Sequence, residues 1–506
     1  MGPGLGDGDR PVGAADLIRQ KNRGRVSRQI AIRFLFLRQD MRIILVRPNA
    51  RLKSTYVPLG LGYIAAAARA AGHKVSILDA RLERLSAQQT LRRILDFQPD
   101  LVGLTALHAA GEKQAVLETA GAYKKAGGRA PVILGGALVS SLGREMVASG
   151  RIDLAVVGEG EETFTACLHA LEEGRFPDRV PGTVFRQNGL VRTTEPAQFI
   201  KDVDSLTVAW DLMQPERYFF LSGRSGQSII KKSHRCLPLF TSRGCPFGCI
   251  YCHAIFGRTF RGRGPESVVD EMVMLKETYG VREIEIEDDC FNLDLDRAKK
   301  IAQAVIDRRL NLALSFPTGL RADRMDRELV DLLKGAGAYR VIYAVETAVP
   351  RLQQLIRKNL DFSRAEAIIN YTADSGIMTC GFFMQGFPTE TEAEMRRTVD
   401  YALRSRLHQA FFFYVNPFPG TELAKKYPVQ EGGEAAGQRM GYNTLRVNLS
   451  AVPSKTVVKI NKAAYRRFHF SPRRMWRTWR VAPKNIRTLW AVVITLVLSF
   501  RDLEDV

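Results

Sequence analysis

The chain has 506 residues, 45% of them hydrophobic and 25% charged, with a formal net charge of +21. These proportions exclude a largely disordered chain, and no stretch reaches the roughly 18 to 20 uninterrupted apolar residues of a membrane-spanning helix. At about 150 residues per domain the length predicts two or three domains, and the first residues lack the apolar core of a signal peptide.

The charge invites a nucleic-acid or acidic-membrane reading, but it is unevenly placed. Residues 1–40 hold eight Lys/Arg against four Asp/Glu, and Ser454–Arg487 holds eleven Lys/Arg and no acid. The body between them is close to balanced, so nucleic acid is not its expected partner. Seven cysteines, an odd and sparse set, make a poor disulfide framework, and three of them, Cys245, Cys249 and Cys252, fall within eight residues. A reducing, cytoplasmic setting with a metal site fits that usage better than secretion.

Residues 1–40 read as a basic flexible tail. Met41 then opens a clean strand, MRIILVRP, which makes it a candidate start of the folded protein. Apolar runs at Ile43–Val46, Val75–Leu78, Leu101–Leu104, Val132–Leu134 and Leu154–Val157 predict buried strands. The stretches Leu61–Ala71, Ala87–Phe97, Glu112–Ala126 and Ser141–Ser149 predict helices between them. Such alternation gives right-handed crossovers and a parallel sheet with helices on both faces. Residues 41–180 are therefore expected to form an α/β, Rossmann-like doubly wound domain. Ligands bind such sheets at the carboxyl ends of the strands. There the sequence places Gly135-Gly136 after the fourth strand and Gly158-Glu159-Gly160-Glu161 after the fifth. Glycines at these ends admit a ligand close to the backbone, and they also serve as ordinary turn residues.

Residues 181–235 read as a connector. A second α/β block over 236–430 has strands predicted at Leu239–Thr241, Glu283–Glu287, Leu312–Phe316, Arg340–Val345, Met378–Met384 and Ala410–Val415, with helices such as Pro265–Tyr279 and Asp294–Arg309 between them. Pro238 is placed at the entry of the first strand, because proline is not tolerated inside a central one. Six units are too few for a closed eight-fold barrel and predict a partial (β/α)6 barrel. Residues 431–506 read as a basic, partly helical C-terminal extension. Its Arg and Trp residues precede an apolar run, Leu489–Leu498, that is too short to span a bilayer. The segment suits either a surface-lying helix on anionic lipid or a helix packed on the barrel with a solvated basic face.

The first strand of the second block runs into SRGCPFGCIYCHAIFGRTFRGR. Three thiolates spaced Cys245-x-x-x-Cys249-x-x-Cys252 in a Gly- and Pro-containing loop can wrap one face of a [4Fe–4S] cluster. Such clusters normally take four cysteines, so three leave one iron open to a substrate or cofactor. A zinc site would want a fourth ligand, and His253, adjacent to Cys252, is poorly placed to supply it.

CxxxCxxC after the first strand of a six-unit block, with Tyr251 before the last cysteine, resembles the radical S-adenosylmethionine enzymes. EIEIEDDCF at 283–291, VIYAVETA at 341–348, GFFMQGFPTET at 381–391 and NPFPGTEL at 416–423 agree with that resemblance, which covers roughly residues 235–430. PLGLGYIAAAARAAGHKVSILDA at 58–80, with the Gly-Gly and GEGEET turns, resembles the cobalamin-binding domain fused to many of these enzymes. The whole is similar to the cobalamin-dependent group that includes the anaerobic magnesium-protoporphyrin monomethyl ester cyclase-like proteins and the hopanoid methylases. One departure stands out. The Asp-x-His-x-x-Gly motif, whose histidine ligates cobalt, is missing after the first strand, and Gly135-Gly136-Ala137-Leu138 carries no histidine either. His108, after the third strand, is the nearby candidate, or else an ordinary loop residue.

The resemblance implies that Cys245, Cys249 and Cys252 ligate the cluster and that the open iron chelates S-adenosylmethionine. Reductive cleavage then gives a 5′-deoxyadenosyl radical, which takes hydrogen from an unactivated carbon, and methylcobalamin can deliver a methyl group. Phe247 and Tyr251 would lie near cluster and adenine. Arg321 and Glu346 would hold the polar ends of S-adenosylmethionine, or form strand-end ion pairs. Asp288 and Asp289 would face the cofactor, or cap a helix. Cys290 and Cys380 read as structural thiols, and Phe411–Tyr414 as a buried strand. The implied activity is methylation or cyclisation of a hydrophobic, tetrapyrrole-like or lipid-like metabolite, with electrons from a donor such as flavodoxin or ferredoxin. The setting is cytoplasmic, with peripheral contact at the inner membrane surface as one reading of the basic tail. Two alternatives stay open: radical chemistry without cobalamin, and a non-catalytic iron–sulfur electron carrier or membrane-associated binding protein, whose cluster would have four protein ligands. The RNA-modifying methylthiotransferases carry three further cysteines in their N-terminal domain, where this chain has only Cys167.

Overall fold

A computed structural model describes residues 40–50, 56–107, 110–219, 230–428, 441–485 and 488. The tail over residues 1–39, His108 and the apolar run Leu489–Leu498 lie outside the described residues.

The first sheet contains β1 (Arg42–Arg47), β2 (Lys74–Asp79), β3 (Leu101–Thr105), β4 (Val132–Gly135), β5 (Leu154–Val156), β6 (Thr183–Gln187) and β7 (Leu190–Thr193), in the order β2-β1-β3-β4-β5-β6-β7. The first five strands are parallel. Their side chains alternate between two helical layers. Ile44, Val46, Val102 and Leu134 enter one core, and Ile43, Leu45, Leu101 and Ile133 the other. Burial on both faces is why these strands read as unbroken apolar runs. The chain reverses its direction of growth between β1 and β3, which places a ligand crevice at their carboxyl ends.

The stretch read as a connector opens differently from expectation. β6 and β7 form an antiparallel hairpin that extends this sheet beyond β5. Asn188 and Gly189, with φ of 52° and 80°, make the turn. Asn-Gly between two short alternating runs is a hairpin signal, and β7 lies at the solvent edge of the sheet, so it lacks the apolar density of its neighbours.

The second sheet begins with β8 (Cys236–Leu239). A two-residue antiparallel ladder, β9 (Ser242–Arg243) with β10 (Arg261–Gly262), flanks the cysteine loop. The sheet continues with β11 (Glu283–Ile286), β12 (Ala313–Leu320), β13 (Ala338–Glu346), β14 (Met378–Gln385) and β15 (Gln409–Tyr414), all parallel, in the order β15-β14-β13-β12-β11-β8. This is the expected six-stranded partial barrel, with one correction. The first strand lies three residues earlier than predicted, so Pro238 sits inside it. β8 is the edge strand, and a missing backbone donor is tolerated there.

Phe411–Tyr414 is indeed strand, and its alternation serves two surfaces. Phe412 meets Tyr465 and Phe468 of the helix Ser454–His469 edge-on, at 5.4 and 6.4 Å between ring centroids. Phe411 and Phe413 meet Phe382 of β14 on the opposite side. The next helix, Pro472–Val481, is held by Arg474. Its guanidinium lies 3.7 Å from the Phe468 ring centroid and donates to the carbonyls of Leu403 and Leu407. Trp476 and Trp479 on that helix are 63% and 52% exposed.

His408 lies beneath this helix, and its Nδ1 accepts the Thr379 N–H at 3.0 Å. Burial, and then Arg477, Arg474 and Arg406, lower its pKa to about 4. The folded state thus keeps the ring neutral, whereas an unfolded histidine protonates near 6.5. The stability this contributes is present above about pH 6.5 and is expected to be lost as pH falls towards about 4. Urea midpoints across that range should decline in the wild type and decline less in His408→Gln; parallel curves would refute the assignment.

Candidate functional site

The cysteine loop leaves β8 at a bend fixed from below. Asp288, at the end of β11, is fully buried and accepts from the Thr241 N–H (2.6 Å), the Thr241 hydroxyl (2.5 Å) and the Ser242 hydroxyl (2.6 Å). It does not cap the following helix. Asp294 does that, accepting from the Arg297 N–H. The carboxylate of Asp288 is spent on the bend, so its place is beneath the loop rather than against a cofactor. Asp289 accepts from the Gly244 N–H. Gly244 has φ +83°, and a Cβ there would overlap the Thr259 carbonyl, so the tight entry into Cys245 needs glycine.

Within the loop Cys245 is half-buried, Cys249 buried and Cys252 exposed. The middle of the loop is pinned by the barrel: the Ile250 N–H donates to the Ile356 carbonyl (3.2 Å), and the Leu423 N–H donates to the Ile250 carbonyl (2.8 Å). Cys290 is not an isolated thiol. It lies beside Cys245, and that proximity lowers the Cys245 thiol below its usual range. Cys380 is fully buried in β14 and lies away from the loop, as a structural thiol should.

Four residues named from the sequence gather around the loop in two pairs. The Arg321 guanidinium lies 3.9 Å from the centroid of the Phe247 ring. Tyr251 donates to Glu346, and burial followed by the Glu346 charge holds its phenol well above the usual pKa. Of the two readings offered for Arg321 and Glu346, ion pairing is visible: Arg321 binds Asp323 at 3.0 and 2.7 Å, and Glu346 meets Lys358 at 3.2 Å. Glu346 also has φ +68°, an uncommon, strained backbone state that concentrates at functional sites. Asp323 and Lys358 went unread in the sequence, since a lone acid and a lone lysine in loops carry no pattern. Their burial is what marks them.

The sulfurs also bear on which metal group fits. A single tetrahedral zinc, with bonds of about 2.3 Å, would bring its sulfurs within about 4 Å of one another. Among the described residues, the one trio of His, Cys, Asp or Glu with ligand atoms mutually within 4.8 Å is Cys236, Glu283 and Glu285. Cys245, Cys249 and Cys252 are therefore spread more widely, which suits a polynuclear cluster. His253 is engaged elsewhere, with Nε2 at 3.0 Å from the Pro419 carbonyl. The Cys236 trio already holds a cation, because Lys231 Nζ lies 2.8 Å from Glu285 and 3.5 Å from Cys236 Sγ.

Between the two sheets lies a cavity of about 610 Å³. Thr105, Gly135, Gly136 and Gly158, at strand ends of the first sheet, form one wall; Phe240, Phe256 and Glu287 belong to the other. A Cβ on Gly135 or Gly158 would meet nothing within 4 Å, so these positions leave room for a bound group. Gly136 is different. Its φ is +94°, and a Cβ would overlap the Ala106 carbonyl, so the turn itself demands glycine. Gly160 also lines the cavity, and a Cβ there would press on the end of the flexible Ile64 side chain. Among the described residues no histidine lines the cavity.

Glu159 has a role that the sequence did not reveal. Arg243, two residues before Cys245, donates to Glu159 at 3.0 Å and to Glu161 at 2.6 Å, and Arg261 on β10 donates to Glu159 at 2.7 Å. All four side chains are buried. Burial alone would lower the Arg243 pKa; Glu161, and then Tyr63 and Glu159, outweigh it. Both arginines stand in the motif RGCPFGCIYCHAIFGRTFR, where the cysteines draw the attention.

The geometry defines a class: a doubly wound sheet and a cysteine-loop partial barrel, bolted together around one cavity. Two family models match this chain, the B12 binding domain over residues 48–168 and the radical SAM superfamily over residues 239–402. The chain thus carries a B12-binding domain followed by a radical SAM domain, as the motifs implied. It is 29% identical over 445 residues to an uncharacterized methyltransferase of Pyrococcus horikoshii, covering 86% of this chain and 93% of that protein. It is also 29% identical over 445 residues to the cytidylyl-2-hydroxyethylphosphonate methyltransferase of Streptomyces wedmorensis, covering 77% and 82%. Anaerobic magnesium-protoporphyrin IX monomethyl ester cyclases and a hopanoid C-3 methylase are among the relatives. The fold is similar to that of a radical S-adenosylmethionine methyltransferase from Kitasatospora setae solved with cobalamin and a [4Fe-4S] cluster, with TM-score 0.63, 22% identity and 76% and 74% of the two chains covered.

Removing Arg243 would leave two buried carboxylates short of a partner. Arg243→Met is expected to destabilise the protein by about 3–5 kcal/mol, and Glu161→Gln in the same chain to recover part of the loss. Urea unfolding of the three proteins checks this; a cost below about 1 kcal/mol would mean that the bridge does not hold the domains.

Proposed function

We propose that this protein is a cobalamin-dependent radical S-adenosylmethionine enzyme that methylates or cyclises an unactivated carbon of a hydrophobic metabolite. One observation carries the reading: Arg243 and Ile255, which flank the three cysteines, line the same cavity as Gly135 and Gly158 of the B12-binding domain. When bound, the cluster supplies the electron and the open iron for S-adenosylmethionine, and cobalamin the methyl carrier. The chain's own part is to place them. Cys245, Cys249 and Cys252 hold the cluster. Phe247 on Arg321, and Tyr251 on Glu346 and Lys358, shape the adjoining wall. Gly135 and Gly158 admit the corrin to the strand ends, and Phe240 and Phe256 keep the space between apolar and water-poor. An electron donor such as flavodoxin or ferredoxin would serve the exposed Cys252 side.

Under anaerobic conditions, the reconstituted wild type with S-adenosylmethionine and reductant should form 5′-deoxyadenosine. Cys249→Ala should form none, and Cys290→Ser should still form it, because Cys290 is not needed as a fourth ligand. No product from wild type would sink the radical reading, and loss of product in Cys290→Ser would favour an electron carrier. Gly135→Val should weaken cobalamin retention about tenfold, roughly 1.4 kcal/mol, with the cluster absorbance unchanged; unaltered retention would remove cobalamin from that wall.

The C-terminal helix supports a second, narrower reading. Among the described residues no helix is long and apolar enough to cross a membrane. Met475, Trp476 and Trp479 are nevertheless exposed beside Arg473 and Arg480, which is the composition of an interfacial helix on anionic lipid. The protein should float with phosphatidylglycerol vesicles and not with phosphatidylcholine vesicles, and Trp476→Ser/Trp479→Ser should lose that binding. Flotation unchanged by the double substitution would dismiss the contact.

A further inference from the structure

The charges around the cavity are almost all committed. Three cations line it, and each is paired: Arg47 with Asp79, Lys231 with Glu285 at 2.8 Å, and Arg243 with Glu159 and Glu161. Among the lining carboxylates, Glu112 is held by Arg81 and by the Leu107 N–H. Glu287 is the exception: among the described residues its carboxyl has no hydrogen-bond or ion-pair partner, and it faces the cavity from just past the end of β11. Close by on the same strand, Glu285 keeps Oε1 buried and without a partner. Pro238, Phe240 and Phe256 line the same cavity.

We infer that this wall selects an apolar substrate presenting an uncharged hydrogen-bonding group, such as an amide or hydroxyl, to Glu287, and that it rejects a free carboxylate or phosphonate. The inference rests on the cavity being the substrate site proposed above. An anionic group entering here would leave water with no unpaired cation among the described lining residues to receive it, and it would meet Glu287 and Glu285, whose charge or lone pairs repel it. An uncharged group would instead satisfy the open positions. A protonated carboxyl offers one donor and remaining acceptors, and burial, followed by the Glu285 charge, pushes Glu287 up to about 8, so this form is available near neutral pH. The neighbours that act on it from the packed strands are Glu285, Asp288, Lys231 and Arg340. The relative named for a cytidylyl-2-hydroxyethylphosphonate would then differ from this protein in taking an anionic substrate where this wall takes an uncharged group.

A matched pair of probes tests this: 2-naphthylacetamide and 2-naphthylacetate, titrated calorimetrically into the cluster- and cobalamin-loaded protein without reductant, so that no chemistry intervenes. Wild type should bind the amide about tenfold or more tightly than the acetate, a difference of about 1.4 kcal/mol. Glu287→Ala should bring the two within about threefold, and Glu287→Gln, which keeps the shape and a donor, should retain the amide affinity. Equal affinities in wild type, an unchanged ratio in Glu287→Ala, or no binding of either probe would overturn the inference. Loss of cobalamin by Glu287→Ala with the probe ratio intact would also overturn it, by assigning the carboxyl to the corrin. These outcomes are read from binding alone, so they are separate from the 5′-deoxyadenosine result on which the radical reading stands.

Discussion

Across an apolar seam in which Leu59 and Tyr63 join the barrel core, the two halves of this protein are tied by charge. Arg243 and Arg261 come from the short ladder that closes the cysteine loop, and Glu159 and Glu161 come from the turn after the last parallel strand of the B12-binding sheet. Burying four charges is expensive, and a hydrophobic contact would hold two domains at least as well. What the bridge adds is direction. A planar guanidinium that binds two carboxylates at once fixes angle as well as distance. Tyr63 and Phe256 further confine the Arg243 guanidinium, at 4.7 and 5.0 Å from their ring centroids. A domain interface built this way has one register, and its anchoring arginine lies two residues from Cys245. Any rotation of the sheet against the barrel must move the cysteine loop or break the bridge.

The same logic extends inward from the bridge. The loop it secures is fixed from beneath by Asp288 on Thr241 and Ser242, at its entrance by Gly244, and at its centre by backbone bonds to Ile356 and Leu423. None of these contacts uses the cysteines, so the three sulfurs stay available while their backbone is constrained. This is the preorganisation a cofactor site requires, since order supplied by the scaffold is order the bound group need not impose.

Much of this was legible in the sequence, and the exceptions have physical causes. The five apolar runs of the first block are visible because strands buried on both faces must be apolar along their length; in the second block β11 carries the buried Glu283 and Glu285 and reads by alternation instead, and β8 was placed three residues late. β6 and β7 escape that rule because they close an exposed edge, where only the Asn188-Gly189 turn signals them. The cysteines announce themselves by spacing. Glu159, by contrast, sits in a glycine-rich turn that looks like a ligand cradle, and the sequence has no means of showing that its partners lie 84 and 102 residues away. Asp288 was similarly ambiguous: an acid at a strand end can face a cofactor, cap a helix or tie a loop, and only the placement of Thr241 decides. Long-range polar pairing is the layer that periodicity cannot report, because it leaves no period.

That layer also sets the character of the cavity. A site between two α/β domains collects charged strand-end residues from both, and an unpaired set would fill it with ordered water. Here the cations are neutralised locally, Arg47 by Asp79 with Tyr218 as a further donor to the same carboxylate, Arg243 by the bridge, and Lys231 by Glu285. Pairing leaves a space bounded by rings and small residues, in which a single unpaired carboxyl such as Glu287 dominates the polar recognition. Of these three pairings, the Arg243 bridge is the one that spans the domains, so it both holds their register and removes charge from the space between them. A chemistry that generates reactive radicals benefits from both consequences, because fixed geometry brings the reacting groups together and a dry, neutral enclosure suppresses competing reactions with water.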